Sequence, residues 1–128
     1  MILTLILAMA TPAADECEGE LPQQQMNFCA AQEYHRADDA MNAQWKVTSA
    51  EMKRRDAEWD EPRDDRPGHF SSLLEAQRAW LKYRDAHCRG EGYLFRGGSM
   101  EPFMHATCMT SLTEDRTRQL KTLIEAEG

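Results

Sequence analysis

The segment MNFCAAQEYHRADDAMNAQWKVTSAEM, residues 26–52, places Met26, Ala30, Tyr34, Ala37, Met41, Trp45, Thr48 and Met52 at steps of four and three. Such spacing draws one apolar stripe down a single long helix. The rest of the chain supports helices over strands. Beyond residue 10 there is one Val (Val47) and one Ile (Ile124), against fourteen Ala and eight Leu, so a sheet has little β-branched material to build from. A second helix is predicted to open at Ser71 or Ser72, with Glu75 closing a capping box. It carries Leu74, Gln77, Leu81, Arg84 and Cys88 on one stripe and reaches about Phe95, where Gly97 and Gly98 stop it. A third starts near Ser99 as N-cap, with Glu101 and Pro102 in its first turn and Met104, Cys108, Leu112, Leu120 and Leu123 facing inward. The expected fold is all-α, a three-helix antiparallel bundle. Residues 56–69 between the first two helices hold two Pro, a Gly and a charge cluster that includes Asp60, Glu61, Asp64 and Asp65. They read as a solvated loop. Arg63 and Arg66 are interleaved among the acids, and the spacing does not match a calcium loop.

At 128 residues the chain is expected to form one domain. Residues 1–10 form an apolar run half as long as the ~20 residues of a membrane-spanning helix, so no membrane insertion is expected. The run reads as a signal peptide with a cleavage site after Ala10, and a start codon placed too far downstream explains why no Lys or Arg opens it. Residues 11–128 are then the mature domain, periplasmic or secreted. Asp15 and Glu16 precede Cys17, which excludes a lipobox. All charge lies beyond residue 14, with 15 Lys and Arg against 22 Asp and Glu, a net charge of −7. Bulk electrostatics therefore disfavours nucleic acid and favours basic partners. A monomer is expected.

Four cysteines in a small exported domain imply two disulfides, with three connectivities available. Cys88 and Cys108 each lie ten residues from Gly98, on helices running in opposite directions. They should arrive at one height, which favours Cys88–Cys108 and leaves Cys17–Cys29. Spacing alone leaves crossed pairings open, because Cys29 sits at the same end of the bundle. Metal is the competing use: His87, Cys88, His105 and Cys108 offer zinc ligands, and Met100, Met104 and Met109 offer soft donors for copper. His105 joins Met100, Met104 and Met109 in the copper set. In an oxidising compartment thiols pair with each other first, and Met at helical spacing fills cores, so neither metal nor cofactor is expected.

With the cysteines taken as a common level on the three helices, Arg84 counts opposite Glu33 and Arg116 opposite Asp38. Two semi-buried ion pairs are the expectation, with Gln77 and Asn42 capping the same polar seam and Trp80 beside Arg116. The alternative is that Arg78, Arg84 and Asp85 form a ligand site. Catalysis has little to work with: no nucleophile has a base at a recognisable spacing, and no phosphate loop is present. Glu91 and Glu101 flank the Gly97-Gly98 turn as a glycosidase-like carboxylate pair, but Glu101 is already explained by the helix dipole. The chain is expected not to be an enzyme. A better binding surface is the turn Arg96, Gly97, Gly98 and Ser99 with its flanks Tyr93, Phe95 and Phe103, since Arg and aromatics are common anchors and a disulfide behind them would stiffen the tip.

Three motifs then become specific: Met26-Asn27-x-Cys29-Ala30; Ala37-Asp38-x-x-Met41-Asn42-x-x-Trp45; and Gln77-Arg78-Ala79-Trp80-x-x-x-Arg84-Asp85-x-x-Cys88. Together with Gly97-Gly98-Ser99, Cys108 and Leu112-Thr113-x-x-Arg116-Thr117-x-x-Leu120, they closely resemble the lysozyme inhibitor LprI-like domain family over residues 17–124. Met41 and Trp45 stand where the family usually has Leu and Tyr. The resemblance implies an exported, disulfide-bonded helical domain whose named member, which looks like a lipoprotein, inhibits lysozyme. The partner would be a basic protein such as a lysozyme, blocked by cleft occlusion. The alternative is an envelope accessory protein that binds another protein or a peptidoglycan fragment.

Overall fold

The computed structural model describes residues 16–62 and 64–125; the expected signal peptide and cleavage site lie outside them. Helix α1 spans Gln23–Glu58, α2 His69–Gly92 and α3 Glu101–Glu125, with a short 3₁₀ turn, Tyr93–Phe95, between the last two. Cross-helix contacts fix their directions. Gln77 of α2 meets Met41 of α1 and Arg84 meets Asp38, so α2 runs against α1. The Asn27 side chain bonds the Ser99 carbonyl at 2.8 Å and Thr48 Oγ1 donates to the Leu120 carbonyl at 2.9 Å, so α3 runs beside α1 in the same direction. The result is an up-down-up, all-helical bundle. Among the described residues no helix is long and apolar enough to cross a membrane.

The α1 stripe faces inward: Ala30, Ala37, Met41, Thr48 and Met52 are buried, and Tyr34 and Trp45 are half-buried. Met41, Met52, Leu73 and Leu120 form one apolar cluster, with Trp45, Phe70, Trp80 and Ile124 packed around it. Cys88, Cys108 and Met109 form a second, flanked by Tyr34 and Leu112. Thr48 on α1 and Thr113 on α3 are both fully buried. Small and polar residues at these positions let helices that lack large aliphatics approach closely. The disulfides join Cys17 to Cys29 and Cys88 to Cys108, with Cα atoms 5.6 and 5.4 Å apart.

Four local expectations are corrected. The start of α2 is His69, ahead of Ser71, and no side chain of its own segment caps it. Instead Asp56, in the last turn of α1, accepts the backbone N–H of His69 at 2.7 Å and of Phe70 at 3.0 Å. This carboxylate satisfies two of the four orphan donors of α2 and complements its dipole. A Cβ at Gly68 would stand 2.9 Å from Asp56 Oδ1 and press on the capping carboxylate. On α2 Leu73 is buried and Leu74 only half-buried. On α3 Leu123 is 42% exposed and Ile124 takes the core place, because the step of four from fully buried Leu120 points at the cluster and the step of three does not. The expected N-cap Ser99 instead lends its carbonyl to Asn27, and α3 begins at Glu101.

Near the end of α1, hydrogen bonds from Arg54, then Arg55, hold the Glu51 carboxyl down at about 2, against an ordinary 4.5. A depressed carboxylate supports the fold above its ordinary range, so this cluster's contribution fades as pH falls from about 4.5 toward 2. The long-range cap gives a sharper prediction: Asp56→Ala should destabilise by about 1 kcal/mol in denaturant melts, while Asp60→Ala leaves stability unchanged. Replacing Cys88 and Cys108 together by Ala should cost about 2 to 4 kcal/mol. Non-reducing peptide mapping should recover Cys17 with Cys29 and Cys88 with Cys108.

Candidate functional site

The polar seam is where the helices meet. Arg84, on α2, has a side chain only 7% exposed. Its guanidinium lies 3.5 Å from Asp38 on α1, 3.1 Å from Asp85 on α2 and 3.3 Å from Thr113 Oγ1 on α3. It also stacks over the Trp80 ring at 5.1 Å and the Tyr34 ring at 5.5 Å. Burial raises the Tyr34 phenol pKa, and the Arg84 charge beside it pulls the other way. Arg116, on α3, donates to Gln77 Oε1 at 2.8 Å and to Gln119 Oε1 at 3.0 Å, with the Trp80 ring 6.0 Å away. Burial lowers its pKa.

The two expected ion pairs are therefore corrected. Arg84 meets Asp38, while Glu33 pairs at the surface with Arg36. Arg116 meets the neutral amides of Gln77 and Gln119, and no carboxylate of the described residues pairs with it. The cause is the common level assumed for the cysteines. Asn27 to Ser99 and Thr48 to Leu120 share an offset of 72 residues, which sets Cys108 level with residue 36, seven residues above Cys29. Counted from there, Arg84 reaches the turn of Asp38, and Arg116 reaches the level of Gln44. Asn42 is exposed and bonds Asp38 at 3.4 Å, at the edge of the seam. Arg78 is exposed and Arg84 buried, so the alternative ligand set of Arg78, Arg84 and Asp85 does not converge on one open pocket.

The α2–α3 turn is built by backbone geometry. Arg96 donates its N–H to the Tyr93 carbonyl at 3.1 Å and Gly98 to the Phe95 carbonyl at 2.8 Å. Gly97 sits at φ +80°, a left-handed conformation that strains any residue with a Cβ. Its N–H donates to Glu101 Oε2 at 2.7 Å. From α1, the Asn27 amide holds the Ser99 carbonyl and in turn accepts from Gln23 at 2.7 Å. On this frame Tyr93, Leu94 and Phe95 are exposed, Leu94 by 76%. The Arg96 guanidinium lies over the Tyr93 ring at 4.4 Å. Sequence reasoning had missed Asn27 and Leu94; the pointer to the first was its place in the Met26-Asn27-x-Cys29 motif. Beside the tip, a groove of about 890 Å³ runs between α1 and α3, floored by Met26, Ala30 and Phe103 and the Cys17–Cys29 bridge, and rimmed by Glu20, Glu33 and Glu114.

The other candidate chemistries are accounted for by local bonds. Glu91 pairs with His87 at 3.1 Å and Glu101 serves Gly97. His87, Glu91 and Cys108 place ligand atoms within 4.8 Å of one another, but the Cys108 sulfur is bonded to Cys88.

Arg84→Ala should cost about 2 to 4 kcal/mol, through lost packing on two rings and lost hydrogen bonds. Asp38→Asn, at a third-exposed position, should cost less than about 1 kcal/mol. Chemical denaturation of both variants checks the order.

Compared with known proteins, the chain matches the family described as Lysozyme inhibitor LprI over residues 14–120. It is 36% identical to an uncharacterized protein of Rhizobium meliloti (strain 1021), over 97% of this chain and 93% of that one. No solved structure matches it.

Proposed function

The chain belongs to the LprI family of lysozyme inhibitors, and from that premise and the exposed tip we propose that it is an exported, non-catalytic binding protein that inhibits a lysozyme by occupying its sugar-binding cleft. The observation that carries the reading is the α2–α3 tip, where Tyr93, Leu94 and Phe95 stand exposed beside Arg96 on a turn braced by Gly97, Glu101 and Asn27. Exposed aromatics and Arg on a rigid loop lose little entropy on binding and make good anchors. Two disulfides support an oxidising compartment. The net charge of −7 and the acidic rim of Glu20, Glu33 and Glu114 suit a basic partner. Binding without turnover fits a tip whose carboxylates are tied to a backbone amide and an imidazole.

Inhibition assays against c-type and g-type lysozymes test this. Inhibition is expected at micromolar concentration, with association slowing as salt rises. Leu94→Asp or Tyr93→Ala should weaken it at least tenfold, about 1.4 kcal/mol, while leaving the thermal melt unchanged. Tip variants that inhibit like the parent would move the contact surface elsewhere. A parent that inhibits neither lysozyme type leaves the accessory-protein alternative.

A further inference from the structure

The groove between α1 and α3 presents two kinds of accessible group. Leu21, Met26 and Phe103 line it and are only half-buried, while Glu20, Glu33 and Glu114 line it and are exposed. On α3 the lining runs from Phe103 to Glu114, about 16 Å of helix. That is the length of three helical turns, longer than a single small ionic group would need.

The acidity survives a count of partners. Glu33 is paired with Arg36, no ion pair among the described residues reaches Glu20 or Glu114, and no Lys or Arg lines the groove. Three carboxylates against one guanidinium leave two negative charges. The acids are also spread out. By the 72-residue offset between α1 and α3, Glu33 is level with residue 105. Glu114 stands nine residues further along, about 14 Å. One point cation cannot serve both, whereas a segment carrying several can.

The wall at the tip end is preformed. The Cys17–Cys29 bridge, the Gln25 amide donating to the Glu16 carbonyl at 3.1 Å, and Gly19 at φ +83° shape the segment that carries Glu20 and Leu21. A trough whose walls are already ordered loses little entropy on binding.

We infer that this groove docks a basic amphipathic helix of a protein partner, its apolar stripe on Leu21, Met26 and Phe103 and its Lys or Arg side chains against Glu20 and Glu114. The inference shares a basic partner with the inhibitor reading and does not require that partner to be a lysozyme.

The probe is a capped synthetic peptide of about twelve residues, with Leu along one helical stripe and Lys on both flanks. Calorimetric titration of the full chain at physiological ionic strength should show one saturable site. A scrambled peptide of the same composition, and spermine, should each bind at least tenfold more weakly. Ser111→Trp fills the groove from an exposed lining position and should abolish binding with the melt unchanged. Glu114→Lys should lose at least tenfold, whereas Asp60→Lys, the same charge change beyond the far end of α1, should lose less than twofold. Tyr93→Ala should bind the peptide like the parent. A parent that takes the peptide and inhibits no lysozyme keeps the groove assignment and removes the inhibitor reading alone. The inference is overturned if the peptide does not bind, if the scrambled peptide or spermine binds as well, if Ser111→Trp or Glu114→Lys binds like the parent, or if Tyr93→Ala loses the peptide, which would seat it at the tip.

Discussion

The bundle depends on one buried guanidinium. Arg84 reaches a carboxylate on α1, another on its own helix and a hydroxyl on α3, and it is sandwiched between the rings of Tyr34 and Trp80. A chain with so few large aliphatics cannot fix three helices by shape alone. Its interior of Met, Ala and Thr would tolerate several rotations of one helix against another. A planar cation with partners on every side accepts far fewer, because its fork must meet each acceptor at bonding distance. The Cys88–Cys108 bridge lies one turn away on α2 and pins the same level covalently. Apolar packing supplies the gross driving force, while the arginine and the disulfide select the register.

Much of this was legible in the sequence, and the parts that were not share a cause. The α1 stripe from Met26 to Met52 is a local property, as is the equal distance of Cys88 and Cys108 from Gly98, so helix content and the hairpin bridge could be read directly. What failed was anything that needed the height of one helix against another. Glu33 counts opposite Arg84 only if Cys29 is level with Cys108, whereas the two lie two turns apart along the bundle. The local cap signals for α2 are its own Ser71, Ser72 and Glu75. The cap is supplied by Asp56, thirteen residues earlier and on another helix. Leu123 and Ile124 are equally apolar, and only the rotation of α3 decides which is buried. The tip residues Tyr93, Arg96, Gly97, Gly98 and Ser99 were visible as a glycine turn with aromatic flanks. The clamp from Asn27 was not, because it joins residues 72 apart.

The two ends of the bundle are chemically unlike. Aromatic and acidic groups gather around the α2–α3 turn, on a frame tied by a positive-φ glycine, a carboxylate and the Asn27 amide. The far end gathers arginines around an apolar hollow closed by the Asp56 cap. The polar seam holds the distance between them. Substitutions at either end should therefore be read separately, provided that Arg84 and Arg116 are left intact.

Because α1 and α3 run side by side in one direction, the two ends of the described chain lie at opposite poles. The start of α1, bridged to Cys17 through Cys29, stands beside the aromatic turn, whereas the end of α3 stands some 25 residues of helix away, about 37 Å. A fusion partner, affinity tag or surface linker joined ahead of Cys17 would crowd the aromatic pole and shield it. One joined after Glu125 would present that pole outward, so the choice of terminus decides which face an immobilised molecule shows to its surroundings.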